Sequence, residues 1–133
     1  MTQQTLLACA LDRIDTANRA DPNIEQVGGI PLPKEYAYSQ HMTRWLFELE
    51  PQPSERMQIA CRAQHIERWS IPRSDFPEGR KAYYEWRQAC GRMHGRRAAG
   101  IMEECGYPQE ECQKVETILT KRELRKDADT QLL

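Results

Sequence analysis

The sequence lacks the local signatures that announce the common nucleotide-hydrolase and dehydrogenase classes: there is no Walker-type phosphate loop, no GxSxG elbow and no Rossmann glycine run. Each of those motifs is a backbone device that places N–H groups or a nucleophile at a defined turn, so those classes lose their sequence support here. No CxxC pair occurs among the five cysteines (Cys9, Cys61, Cys90, Cys105 and Cys112), and an odd count suggests neither a disulfide framework nor a zinc ribbon. The expectation is therefore that most are reduced, part-buried packing thiols in a cytoplasmic protein that needs no disulfide for stability. Net charge is also nearly absent, at −1, so bulk charge gives no argument for a nucleic-acid partner. No segment alternates polar and apolar residues as a half-buried strand would. Long apolar runs are missing too, which excludes a membrane span. Leu6, Leu7, Ala8 and Cys9 have the composition of a lipoprotein cleavage box, but no Lys or Arg precedes them and Asp12 and Arg13 cut the apolar stretch short.

What is present is helical periodicity. The 133 residues suit one domain, and 29% charged with 39% hydrophobic residues suits a globule with a small core and a well-solvated surface. Leu7, Leu11, Ile14 and Ala17 mark a first amphipathic helix near 5–20, ended by Asp21-Pro22-Asn23. The stretch DPNIEQVGGIPLP, with three prolines and a Gly-Gly pair, reads as a long loop. A second helix follows from Pro33, with Tyr38, Met42, Trp45, Leu46 and Leu49 on one face. A third starts at Pro53 or Ser54 and runs through Cys61, His65 and Trp69, which then share a face.

Pro72 and Pro77 bound a loop, and no proline occurs from Arg80 to Cys105, where Tyr83, Trp86, Cys90, Met93, Arg97 and Ile101 trace a long fourth helix. Gly91, Gly95 and Gly100 each weaken it by roughly 1 kcal/mol relative to alanine, so they mark close helix packing or a kink. Gly106 is a left-handed stop and Pro108 opens a fifth helix with Cys112, Val115, Ile118 and Leu119 inward. The last residues, DADTQLL, hold a cap and one helical turn, which predicts further helix beyond Leu133. The expected architecture is an all-α single domain over 1–133, with five main helices and a truncated or irregular sixth.

The segments GIPLPKEYAYSQHMTRWL, RAQHIERWSIPRSDFPEGRKAYYEWR, GYPQEE and LRKDADTQLL, and above all QHIxRWxIPR at 64–73 and YxxWR at 83–87, resemble an uncharacterised bacterial family catalogued only as a domain of unknown function. The resemblance implies an all-helical chain and no activity. Its helical layout is similar to the HD phosphohydrolase superfamily, in which histidines and aspartates on successive helices hold a metal. Here the namesake dipeptide is missing, because Ile66 follows His65.

Two constellations carry chemistry. The three histidines, His41, His65 and His94, fall on three successive helices, from which neutral imidazoles converging on a divalent metal would acidify a bound water. His65 and His94 are the better pair, since each follows a cysteine by four residues on a face that also holds tryptophan; His41 has polar neighbours. If their helices pack, the two rings approach. A packing role with one hydrogen bond is the ordinary alternative for each.

The second constellation is cationic. Residues 62–97 hold nine Arg and Lys against four Asp and Glu, a local +5 on a chain of −1. Arg62, Arg73 and Arg87 stand out as forks for phosphate or carboxylate, with Trp69 and Trp86 as stacking surfaces between the cations. A helix-turn-helix reader of double-stranded DNA is disfavoured, because the turn between the third and fourth helices is too long and proline-rich. Two functions remain. One is a small metal-assisted phosphohydrolase or nucleotide-processing enzyme acting on a phosphate-containing small molecule. The other is a noncatalytic helical module that binds a phosphorylated or acidic protein.

Overall fold

A computed structural model describes residues 3–121 and arranges them as five helices with one small hairpin. The expectation of a sixth helix and of a chain continuing past Leu133 falls outside those residues. The helices are α1 (Gln3–Arg19), α2 (Lys34–Leu49), α3 (Glu55–Arg62), α4 (Arg80–Cys105) and α5 (Gln109–Thr120). None of the described helices is long and apolar enough to cross a membrane.

The hairpin corrects the loop expected at 21–33. Strands β1 (Ile24–Val27) and β2 (Ile30–Pro33) pair antiparallel, with Val27 opposite Ile30 and Ile24 opposite Pro33. Gly28 and Gly29 both take positive φ, 57° and 82°, the backbone that a two-residue hairpin turn demands. Pro31 and Pro33 survive because an isolated two-stranded ribbon has an unpaired outer edge. Beside it, Asp21 is buried: one carboxylate oxygen accepts from the backbone N–H of Asn23 and the other from that of Glu35, each at 2.9 Å. A residue that ends α1 thus caps α2, and the hairpin is held between the two.

The core comes from α1, α3, α4 and α5, with Ile14, Ile59, Ile66, Ile101, Met102 and Val115 almost wholly enclosed. α5 follows its expected pattern, since Cys112, Val115, Ile118 and Leu119 are all buried. α4 and α5 come together where α4 lacks side chains. A Cβ built on Gly95 would stand 2.8 Å from the Glu116 carbonyl oxygen, and one on Gly91 3.2 Å from that of Leu119, so these glycines set the helix spacing. Gly106, at φ 104°, stops α4 as expected, and the N–H of Tyr107 reaches back to Met102 O at 3.0 Å.

Three expectations change. In α2 the enclosed stripe is Glu35, Ser39 and Leu46 with Met42 half-buried, whereas Trp45 and Leu49 are 50% and 63% exposed. The hydrophobic letters suggested a face rotated from the one the packing uses. Secondly, α3 stops at Arg62, because the chain turns through 63–67 and Glu67 adopts a left-handed φ of 54° before a short 3-10 turn, Arg68–Ser70. His65 and Trp69 therefore do not share a helical face. Finally, Cys9 of α1 and Cys105 of α4 are joined by a disulfide across 96 residues, although the cysteine pattern suggested no disulfide and most thiols were expected to be reduced. Spacing along the chain contains no sign of that pairing; it follows from the antiparallel approach of α1 to the end of α4. Cys61, Cys90 and Cys112 are free and buried.

Candidate functional site

Ending α3 at Arg62 allows the following turn to carry His65 and Arg68 across to α4. The left-handed Glu67 is fastened there by its carboxylate, which accepts from Arg97 Nε of α4 at 2.8 Å. The segment after the turn is tied to the same helix: the indole N–H of Trp86 donates to Ile71 O at 2.7 Å. These two contacts fix a short irregular stretch against a long rigid helix.

His65 and His94 meet in the angle so formed, with ring centroids 6.2 Å apart. His94 is buried, and its Nδ1–H donates to Ile66 O at 2.8 Å. A carbonyl only accepts, so Nδ1 carries the proton and Nε2 is the basic nitrogen of the neutral ring. His65 lies parallel to Tyr38 of α2 at a centroid distance of 4.0 Å, and its Nδ1 is 3.1 Å from Glu35 Oε1. Glu35 is itself buried at the first turn of α2. Each histidine thus has an oxygen acceptor on Nδ1, the orientation that presents Nε2 as a base or ligand.

The rings border a cleft of about 190 Å³ whose other walls include Arg68, Tyr83, Trp86, Arg87 and Cys90. Leu119 of α5 and the bare backbone of Gly91 form part of its floor. Arg68 covers the Trp86 ring at 4.9 Å and Arg87 the Tyr83 ring at 5.7 Å, so both guanidinium groups are held on aromatic faces. Arg68 makes no ion pair with any carboxylate among the described residues. Burial pushes the Cys90 thiol above its ordinary range while the charge of Arg68 opposes that shift, so the thiol stays neutral and unreactive near pH 7. Arg68 also borders two wider grooves, of about 370 and 520 Å³, the first of which shares His65 and the second Trp86 with the cleft.

The residues singled out in the sequence divide. His65, His94, Arg87 and Trp86 come together in the cleft, while Trp69 and Arg73 line the 520 Å³ groove beside it. Arg73 is turned partly inward on its own loop, donating to Phe76 O and Pro77 O at 3.2 and 2.8 Å. Arg62 is elsewhere: one nitrogen contacts both oxygens of Asp15 at 2.8 and 2.7 Å and Nε donates to Thr43 Oγ1, so it joins α3 to α1 and α2. His41 lines the 370 Å³ groove, but its Nε2 accepts from the indole N–H of Trp45 at 3.1 Å. Among the described residues no group of three or more His, Cys, Asp or Glu is arranged to hold a metal ion. Arg68, Glu35 and Tyr38 were missed. Arg68 was one arginine among many, and nothing local distinguishes it.

A family model described as a domain of unknown function (DUF4202) matches residues 8–133. No curated protein and no solved structure matches the chain.

Proposed function

The chain belongs to the DUF4202 family, whose description assigns no activity, and from the geometry of the cleft we propose that it binds a phosphate-bearing small molecule between His65, Arg68, Arg87 and His94. The observation that carries this reading is Arg68: a half-buried guanidinium held on Trp86, without a carboxylate partner among the described residues, at the mouth of a concave site. Withdrawing a cation partly from water is costly, and an anionic ligand offsets that cost with two parallel charge-assisted hydrogen bonds. The concavity favours a small ligand over an acidic protein, which would need a broad surface. Phosphate should raise stability by about 2.7 kcal/mol at one hundred times its dissociation constant. Thermal unfolding with and without phosphate at fixed ionic strength tests this. A midpoint that does not move, or moves equally in Arg68→Gln, refutes it.

A second reading, a metal-assisted phosphohydrolase of HD-like layout, draws support from the Nδ1 contacts of both histidines, which present Nε2 as metal ligands do. The described residues supply two imidazoles and no third ligand, so no hydrolytic step is derived through a metal. Metal analysis of untagged protein decides this reading: an equimolar divalent ion lost on His94→Ala supports it, and metal-free protein that still binds phosphate removes it.

A further inference from the structure

Beyond the phosphate cleft, and resting on that reading, we infer that the adjoining 520 Å³ groove receives a flat aromatic ring, which makes the ligand a nucleoside monophosphate or a similar aryl-bearing phosphate ester. The groove lies between the turn after α1, the first two residues of α2, the Arg68–Arg73 segment and Trp86 of α4. Its size falls among ordinary small-molecule pockets, roughly 300–1,000 Å³, whereas the cleft, at 190 Å³, lies below that range.

The two spaces adjoin at Arg68 and Trp86, which border both. A phosphate held by Arg68 leaves its ester substituent directed along the groove. Trp69 stands there half-buried. Among the described residues no ring stacks on it, no cation covers it, and its indole N–H donates to no acceptor. Trp86, by contrast, is occupied on both counts, by Arg68 above the ring and by Ile71 O at the N–H. A tryptophan that keeps both its face and its donor available at the wall of a groove is suited to a partner that is planar and carries acceptors, as a nucleobase does.

The surrounding charge agrees. Lys34 and Arg73 border the same groove, and neither forms an ion pair among the described residues. The one carboxylate that borders it, Glu35, is engaged by His65. Arg73 Nη1 already donates to Phe76 O and Pro77 O, so Lys34 and the remaining Arg73 nitrogens are the donors that a ribose or base oxygen meets.

Isothermal titration of the whole chain with inorganic phosphate, ribose 5-phosphate, AMP and UMP separates the two readings. The expected result is that AMP or UMP binds at least about ten-fold more tightly than ribose 5-phosphate, as stacking of one base implies. Trp69→Ala should abolish that advantage and leave phosphate binding in place, while Trp69→Phe, which keeps a ring, should retain most of it. Equal affinities for ribose 5-phosphate and both nucleotides, or an advantage that survives Trp69→Ala in protein of unchanged thermal midpoint, overturn the groove assignment and leave the phosphate cleft standing. Failure of every phosphate compound to bind overturns both.

Discussion

Gly95 and Gly100 lie on the same helix five residues apart, and alanine should act on them in opposite directions. Removing an interior helical glycine restricts the unfolded chain and gains about 1 kcal/mol in either case. At Gly100 nothing stands within 4 Å of the new Cβ, so that gain should appear nearly in full. At Gly95 the Cβ would be 2.7 Å from Thr120 Oγ1 and 2.8 Å from the Glu116 carbonyl oxygen. The second of these is backbone and cannot rotate away. α5 must retreat by several tenths of an ångström, separating Ile118 and Leu119 from α4. Overpacking of this kind costs about 1–3 kcal/mol, so after the gain the net effect at Gly95 is a loss of up to about 2 kcal/mol. Circular dichroism at 222 nm during heating reads the difference, at about 3–5 °C per kcal/mol for a chain of this length. The Gly100→Ala midpoint should rise by a few degrees and that of Gly95→Ala should fall. Because Leu119 also borders the cleft, Gly95→Ala should weaken phosphate binding as well. A Gly95→Ala protein stabilised as much as Gly100→Ala would refute the account of the α4–α5 seam.

Arg62→Ala leaves Asp15 part-buried without its cation, so it should cost about 2–3 kcal/mol in urea unfolding while phosphate affinity stays unchanged; a large loss of affinity would return Arg62 to the site. Reduction with dithiothreitol should lower the thermal midpoint by the equivalent of about 2–5 kcal/mol, because the Cys9–Cys105 link closes a loop of 96 residues, and Cys105→Ser should reproduce it; alkylation of both thiols in unreduced native protein would contradict this. Burial first, and then the hydrogen bond to Glu55, raise the Tyr107 phenol well above its ordinary range. The folded protein keeps a proton that the unfolded chain releases near pH 10, so stability should fall as pH rises past about 10, and Tyr107→Phe should flatten that slope.

Several elements were legible because their signals are local. α1, α4 and α5 follow from apolar spacing bounded by residues that stop or start helices, and Gly106 and Pro108 mark one boundary through backbone chemistry alone. The hairpin was equally local: Gly28-Gly29 between Val27 and Ile30 is a two-residue turn signal, outweighed in the reading by the neighbouring prolines. The end of α3 was not legible, since Gln64 to Trp69 continues a helical pattern and the break is held by contacts with α4, from Arg97 to Glu67 and from His94 to Ile66 O.

By itself, then, the sequence determined the helical class, the order of its main elements and the concentration of cation, imidazole and indole between residues 62 and 97, because periodicity, caps and charge act over a few residues. Tertiary structure decided which of those groups meet. It turned His65 onto His94, gave Arg62 to Asp15, left Arg68 on Trp86 without a carboxylate among the described residues, and brought Cys9 to Cys105. The physical reason is that these choices depend on how whole helices pack, and a contact across tens of residues leaves no periodic trace in the chain.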